Sequence, residues 1–144
     1  MRSWLLLTYK VPRAPTSSRV YVWRKLKQLG ALLMNDAAWV LPSTAQTIEQ
    51  FQWLTIEIQE LGGEVTVWQS TLILDGTEAA LVDQFTSQVE IAYREILSKL
   101  KRANPDLGAL SRRFQQLRAK DYFHCALRTQ VIKALISAKG GSKK

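Results

Sequence analysis

The chain has 144 residues, 47% of them hydrophobic, 22% charged and 9% aromatic; this balance fits one folded domain with its own core and excludes disorder over most of its length. The longest early apolar run, Trp4 to Leu7, is far too short for a membrane span or for the apolar region of a signal peptide. The single cysteine, Cys125, excludes an internal disulfide and a multi-cysteine metal site, so a reducing, cytoplasmic setting is expected. The net charge of +8 is segregated: residues 1–30 hold seven bases and no acid, residues 31–90 nine acids and no base, and residues 91–144 thirteen bases and three acids. That pattern favours a nucleic acid or an oxyanion as partner, unless the acidic and basic segments pack together and cancel.

Trp4 to Tyr9, apolar but for Thr8, predicts a buried central strand. Pro12 and Pro15 make Val11–Pro15 a loop, and Thr16, Ser17 and Ser18 offer cap oxygens for a helix with Val22, Leu26 and Leu29 inward and Gly30 as terminator. Two short strands, Ala31 to Met34 and Ala37 to Leu41, flank the turn pair Asn35-Asp36. Ser43 and Gln46 have capping-box spacing and precede a helix whose buried face runs Thr47, Phe51, Leu54, Ile58 and Leu61, closed by Gly62-Gly63. Glu64 to Val67 alternates as a half-buried strand; Trp68 falls out of phase, which suggests a bulge or an edge, and Ser70 to Leu74 extends the strand or forms another. Asp75 and Glu78 again have capping-box spacing, opening a long helix with Leu81, Phe85, Val89, Ala92, Ile96 and Leu100 on one face. Two further helices carry the seams Leu107, Leu110, Phe114, Leu117 and Leu127, Val131, Leu135, Ala138.

The fold class that follows is α+β: a ferredoxin-like βαββαβ antiparallel sheet over residues 1–74, with the first and third strands central. A helical extension of two or three helices, residues 75–139, is expected to pack on that core within the same domain. Residues 140–144 read as a flexible basic tail.

Enzyme signatures are sparse. Gly62-Gly63 lies between a helix and a strand, the wrong order for a dinucleotide fingerprint. His124 and Cys125 are adjacent, so on a helix they point about 100° apart and make a poor catalytic pair; Cys125 reads best as a small buried hydrophobe. The acids show no clustered pair to hold a catalytic metal. The expectation is no enzyme, no cofactor and no metal. The basic residues form the better constellation. Lys10 and Arg13 sit on the first loop, Arg19 opens the first helix, and Arg24, Lys25 and Lys27 lie on its outer side, while Arg112 and Arg113 lie outside the fourth helix's seam. Long cations on an exposed face are what phosphate contacts require. Trp53 and Trp68 fall off the buried faces and suggest a self-association surface.

Several stretches, taken in order, resemble a known family. They are Trp4-Leu5-Leu6-Leu7 through Tyr9-Lys10-Val11-Pro12, Arg19 to Leu26, Leu29-Gly30-Ala31, Asp36 to Pro42, Glu49 to Leu54, Glu60 to Glu64, Arg112-Arg113-Phe114 and Asp121-Tyr122-Phe123. Together they are similar to the amino-terminal domain of ChrB, the bacterial chromate-resistance regulatory protein. The resemblance implies a cytoplasmic transcription regulator of operons that include a chromate efflux pump, and kinship with phenylacetate-pathway repressors that contain a ferredoxin-like module. Members of the family continue into a second, carboxy-terminal domain. The partners expected are DNA and a second copy of the chain as a homodimer, with no membrane. Chromate is a possible effector, held as a tetrahedral dianion by Arg112 with Arg113 or by Arg13 with Arg19. Two alternatives compete: a dimeric interaction module without nucleic-acid binding, and a metal-dependent nuclease of related fold.

Overall fold

A computed structural model describes residues 2–141. The chain forms β1 (Trp4–Lys10), α1 (Thr16–Gln28), β2 (Leu32–Met34), β3 (Ala38–Pro42), α2 (Ala45–Glu60), β4 (Glu64–Ser70), α3 (Thr77–Leu100), α4 (Leu107–Ala119) and α5 (Leu127–Gly141). It divides into two compact units, Met1–Asp75 and Gly76–Lys144.

The first unit is the βαββαβ plan. Its sheet has the order β2-β3-β1-β4 and every neighbouring pair is antiparallel, so β1 and β3 are central as their apolar runs predict. Leu7 stands opposite Trp39 of β3 and Val67 of β4, and Leu5 opposite Leu41 and Gln69, so these residues share one face. The helices cover that face: α2 lies against β1 and β4, with α1 beside it. α1 buries Ser18, Val22 and Leu26, and α2 buries Thr47, Phe51, Leu54 and Ile58, which are the three- and four-residue steps of the sequence.

Both helices end on the same device. Gly30 (φ 79°) follows α1, and the Ala31 N–H reaches back to the Leu26 carbonyl at 3.1 Å; Gly62 (φ 81°) follows α2, and the Gly63 N–H reaches the Ile58 carbonyl at 2.9 Å. These are Schellman closures, in which a glycine takes the left-handed position. Gly63 is needed for a different reason. A Cβ there would lie 2.6 Å from the Lys10 carbonyl oxygen, 2.8 Å from Val11 and 2.9 Å from Ile58. The end of α2 is thereby seated on the exit of β1.

The turn pair Asn35-Asp36 adopts left-handed angles (φ 52° and 54°), and the Ala37 N–H donates to the Met34 carbonyl at 3.0 Å, closing the hairpin. Other local expectations shift. The capping box of α2 is Thr44 with Thr47, not Ser43 with Gln46. The two exchange backbone-to-hydroxyl bonds at 2.9 and 3.0 Å, and the Thr47 hydroxyl donates to the Pro42 carbonyl at 2.5 Å, so Thr47 is buried as a cap and not as a hydrophobe. α1 begins after Pro15 with no side-chain cap, and Ser18 is buried within its first turn. α3 begins after Gly76 (φ 84°) with no side-chain cap, which leaves Asp75 one position too early to serve. β4 pairs with β1 without a bulge from Ser70 to Glu64 and stops there; Trp68 is on an edge strand, and Ile73 and Leu74 are exposed in an irregular segment.

The second unit is three mutually packed helices, α3, α4 and α5. Val89, Ala92, Tyr93 and Ile96 meet Leu110, Phe114 and Leu117 from α4 and Val131 and Leu135 from α5, with Cys125 buried among them. Asp106 caps α4 by accepting the Ala109 N–H at 3.0 Å. Gly140 and Gly141, which the sequence assigns to a tail, belong to α5, and the rest of that tail lies outside the described residues.

Candidate functional site

β1 delivers the chain at Lys10 into the loop 11–15, which turns into α1 through a cis Ala14–Pro15 bond. Three of the basic residues singled out by sequence come together here. Lys10, Arg13 and Arg19 line a cleft of about 450 Å³, with Tyr9, Trp23 and Trp39 as its aromatic residues. Leu33 and Asp36 bring the β2–β3 hairpin to the same cleft. A second hollow, about 550 Å³, shares Tyr9, Arg19 and Trp23 and adds Arg24. Burial pushes the Tyr9 hydroxyl up from its ordinary pKa, and the Arg19 charge acts against that rise.

Arg24 and Lys27 are exposed on α1, and Lys25 is half-buried. The Lys27 ammonium lies 5.8 Å from the centre of the Trp23 ring, and the Lys25 ammonium 5.7 Å from that of Tyr21. The Tyr21 hydroxyl donates to the Glu57 carboxylate of α2, a bond that raises the Tyr21 pKa. Acidic α2 therefore reaches basic α1 through a tyrosine. Lys10, Arg13, Arg19, Arg24, Lys25 and Lys27 form no ion pair among the described residues. Arg112 and Arg113 are neighbours on α4, exposed and likewise without an ion pair, and they belong to the second unit.

The second unit holds a polar cluster that sequence reasoning missed. Asp121, 4% exposed, accepts from the Tyr93 hydroxyl at 3.0 Å, the Cys125 N–H at 2.9 Å and Arg128 Nε at 3.1 Å. Arg128 also donates to the Asp121 carbonyl at 3.2 Å and to His124 Nδ1 at 2.9 Å. Burial, then the bond to Asp121, pushes the Tyr93 hydroxyl up to about 12; burial does the same for Tyr122. The available signal was a lone acid in a basic stretch, between α4 and α5. Among the described residues no group of three His, Cys, Asp or Glu side chains gathers to hold a metal, and no helix is long and apolar enough to cross a membrane.

Residues 19–108 match the family model described as Protein ChrB, N-terminal. The chain belongs to this family. It is also 31% identical over 91 residues to Protein ChrB of Cupriavidus metallidurans, a match that covers 61% of this chain and 28% of the relative. The ChrB segment begins at Arg19 and takes in Arg24, Lys25 and Lys27. Lys10, Arg13, Arg112, Arg113 and, of the Asp121 cluster, Asp121, His124, Cys125 and Arg128 lie outside it, while Tyr93 lies inside.

Proposed function

We propose that this ChrB-family chain is a cytoplasmic DNA-binding transcription regulator of the chromate response. The observation that carries the reading is the set of six cations from the end of β1 through the following loop to α1, none of them in an ion pair among the described residues. Five of the six are exposed and Lys25 is half-buried, the accessibility that contacts to a phosphate backbone require, and Arg112 and Arg113 add a second, exposed pair on α4. Membership in the ChrB family supports the link to chromate, and the same cations suit chromate itself as effector. The test is a gel-shift assay on the DNA upstream of the gene. Binding at low salt is expected to weaken steeply, with a log–log slope of roughly −0.9 per phosphate neutralised, about −5 if all six cations engage. No binding at low salt overturns the reading. A calorimetric titration with chromate tests direct sensing, and absence of both heat and a melting shift rejects it.

A homodimer is the assembly this reading takes, and it is also the core of the competing one, an interaction module without DNA. β4 supports it. The strand is a sheet edge with no lysine or proline, and Val67 and Trp68 are exposed together with Ile56 of α2, which lines the same hollow. Antiparallel pairing of two copies about Val67 sets Glu64 opposite Ser70, so no like charges meet. Light scattering is expected to show a dimer at micromolar concentration that Val67→Lys dissociates; a monomer throughout rejects the assembly.

A further inference from the structure

We propose that the cleft at the end of β1 binds a nucleoside monophosphate unit, its phosphate on Lys10, Arg13 and Arg19 and its base against the aromatic wall of Trp23, Trp39 and Tyr9. The inference goes beyond the duplex-DNA reading, which needs only an exposed cationic face. Three features call for more than phosphate. First, the cleft holds three cations and three aromatic rings together, and phosphate contacts alone have no use for an apolar wall. Every base has a π-face, so aromatic walls hold bases with little regard to sequence. Second, about 450 Å³ suits a nucleotide-sized ligand and is far larger than a bare tetrahedral oxyanion requires. Third, Asp36 lines the same cleft without pairing to any of its cations. A carboxylate in an anion site repels phosphate but accepts the N–H groups of a base, so it marks the base end.

The walls are held for the purpose. Trp39 is 5% exposed and sits in central strand β3 opposite Leu7, so packing holds it at the floor of the cleft. Trp23 is 50% exposed on α1, where it forms an accessible rim. Lys10 sits where Gly63 permits the end of α2 to close on the strand exit. A nucleotide unit has two sources, a free nucleotide or an unpaired residue of a single strand, and the cleft chemistry is shared by both.

The test uses the full chain, with tryptophan fluorescence and calorimetry as readouts. The probes are nucleoside 5′-monophosphates, the matching nucleosides, inorganic phosphate and a short single-stranded oligonucleotide. A monophosphate is expected to bind at least tenfold more tightly than either its nucleoside or phosphate. Trp23→Ala is expected to weaken it at least tenfold, as is Arg13→Gln combined with Arg19→Gln, with circular dichroism confirming the fold. A tighter oligonucleotide assigns the site to strands and a tighter monophosphate to free nucleotides; either upholds the site. Arg112→Glu, in the second unit and not part of the cleft's lining, is expected to impair duplex binding and spare the monophosphate, so the two readings fail separately. The proposal is overturned if phosphate binds as well as the monophosphate, if no monophosphate binds at millimolar concentration, or if folded Trp23→Ala binds unchanged.

Discussion

The buried Asp121 side chain has partners on α3, on α5 and in the segment between α4 and α5. Asp121→Asn removes its charge while Arg128, 18% exposed along its side chain, stays in place. A loss of about 2–3 kcal/mol is expected, read as a lower urea midpoint at unchanged slope. Tyr93 gives the same cluster a pH signature. Its folded pKa of about 12 exceeds the ordinary 10.0, so the native state keeps a proton that the unfolded state has lost. Stability is therefore full below about pH 10 and falls as pH rises toward 12, at no more than about 1.4 kcal/mol per unit. Denaturation at pH 9 and pH 11 is expected to show the fall, and Tyr93→Phe to reduce it. Gly63→Ala places a methyl group against the Lys10 backbone and is expected to cost about 1–3 kcal/mol by the same denaturation assay.

At the scale of an element, the cations of α1 are not equivalent. Lys25 lies over Tyr21, whose hydroxyl is held by Glu57, with Glu60 also within the field of that ring. Arg24 borders the open hollow beside Arg19. Arg24→Glu is accordingly expected to weaken DNA binding more than Lys25→Glu, by about tenfold or more, in side-by-side gel shifts. Helix faces and glycine stops were legible because they depend on spacing and on φ alone, as at Val22, Leu26, Gly30 and Gly62. The cap of α2 was not, because Ser43–Gln46 and Thr44–Thr47 both have the right spacing and the Pro42 carbonyl that meets Thr47 decides between them. The basic residues could be named one by one. That Trp23 of α1 and Trp39 of β3 wall the same cleft depends on where the helix settles relative to the sheet, which no local pattern states. Asp121 was illegible for a like reason, since its partners Tyr93 and Arg128 lie on other helices.

Across the molecule, the large hydrophobic side chains most exposed among the described residues lie beside the join between the two units: Ile73 is 92% exposed and Leu74 75%. Brief treatment with a protease that cuts after leucine is expected to cleave there first, and mass spectrometry of the fragments checks it. Basic residues, by contrast, occur in both units, seven in the first and thirteen in the second, so reversals at Arg24 and at Arg112 are expected to make separate contributions to the salt slope of the proposed DNA complex. The position of β1 at the interior of its sheet has a consequence for biosynthesis. Its neighbours, β3 and β4, are completed only at Pro42 and Ser70. At roughly 5–20 residues per second, the ribosome leaves the greasy opening segment Trp4–Leu7 without its second flank for about 3–12 s. A newborn chain thus passes through a window in which chaperone capture competes with closure of the sheet.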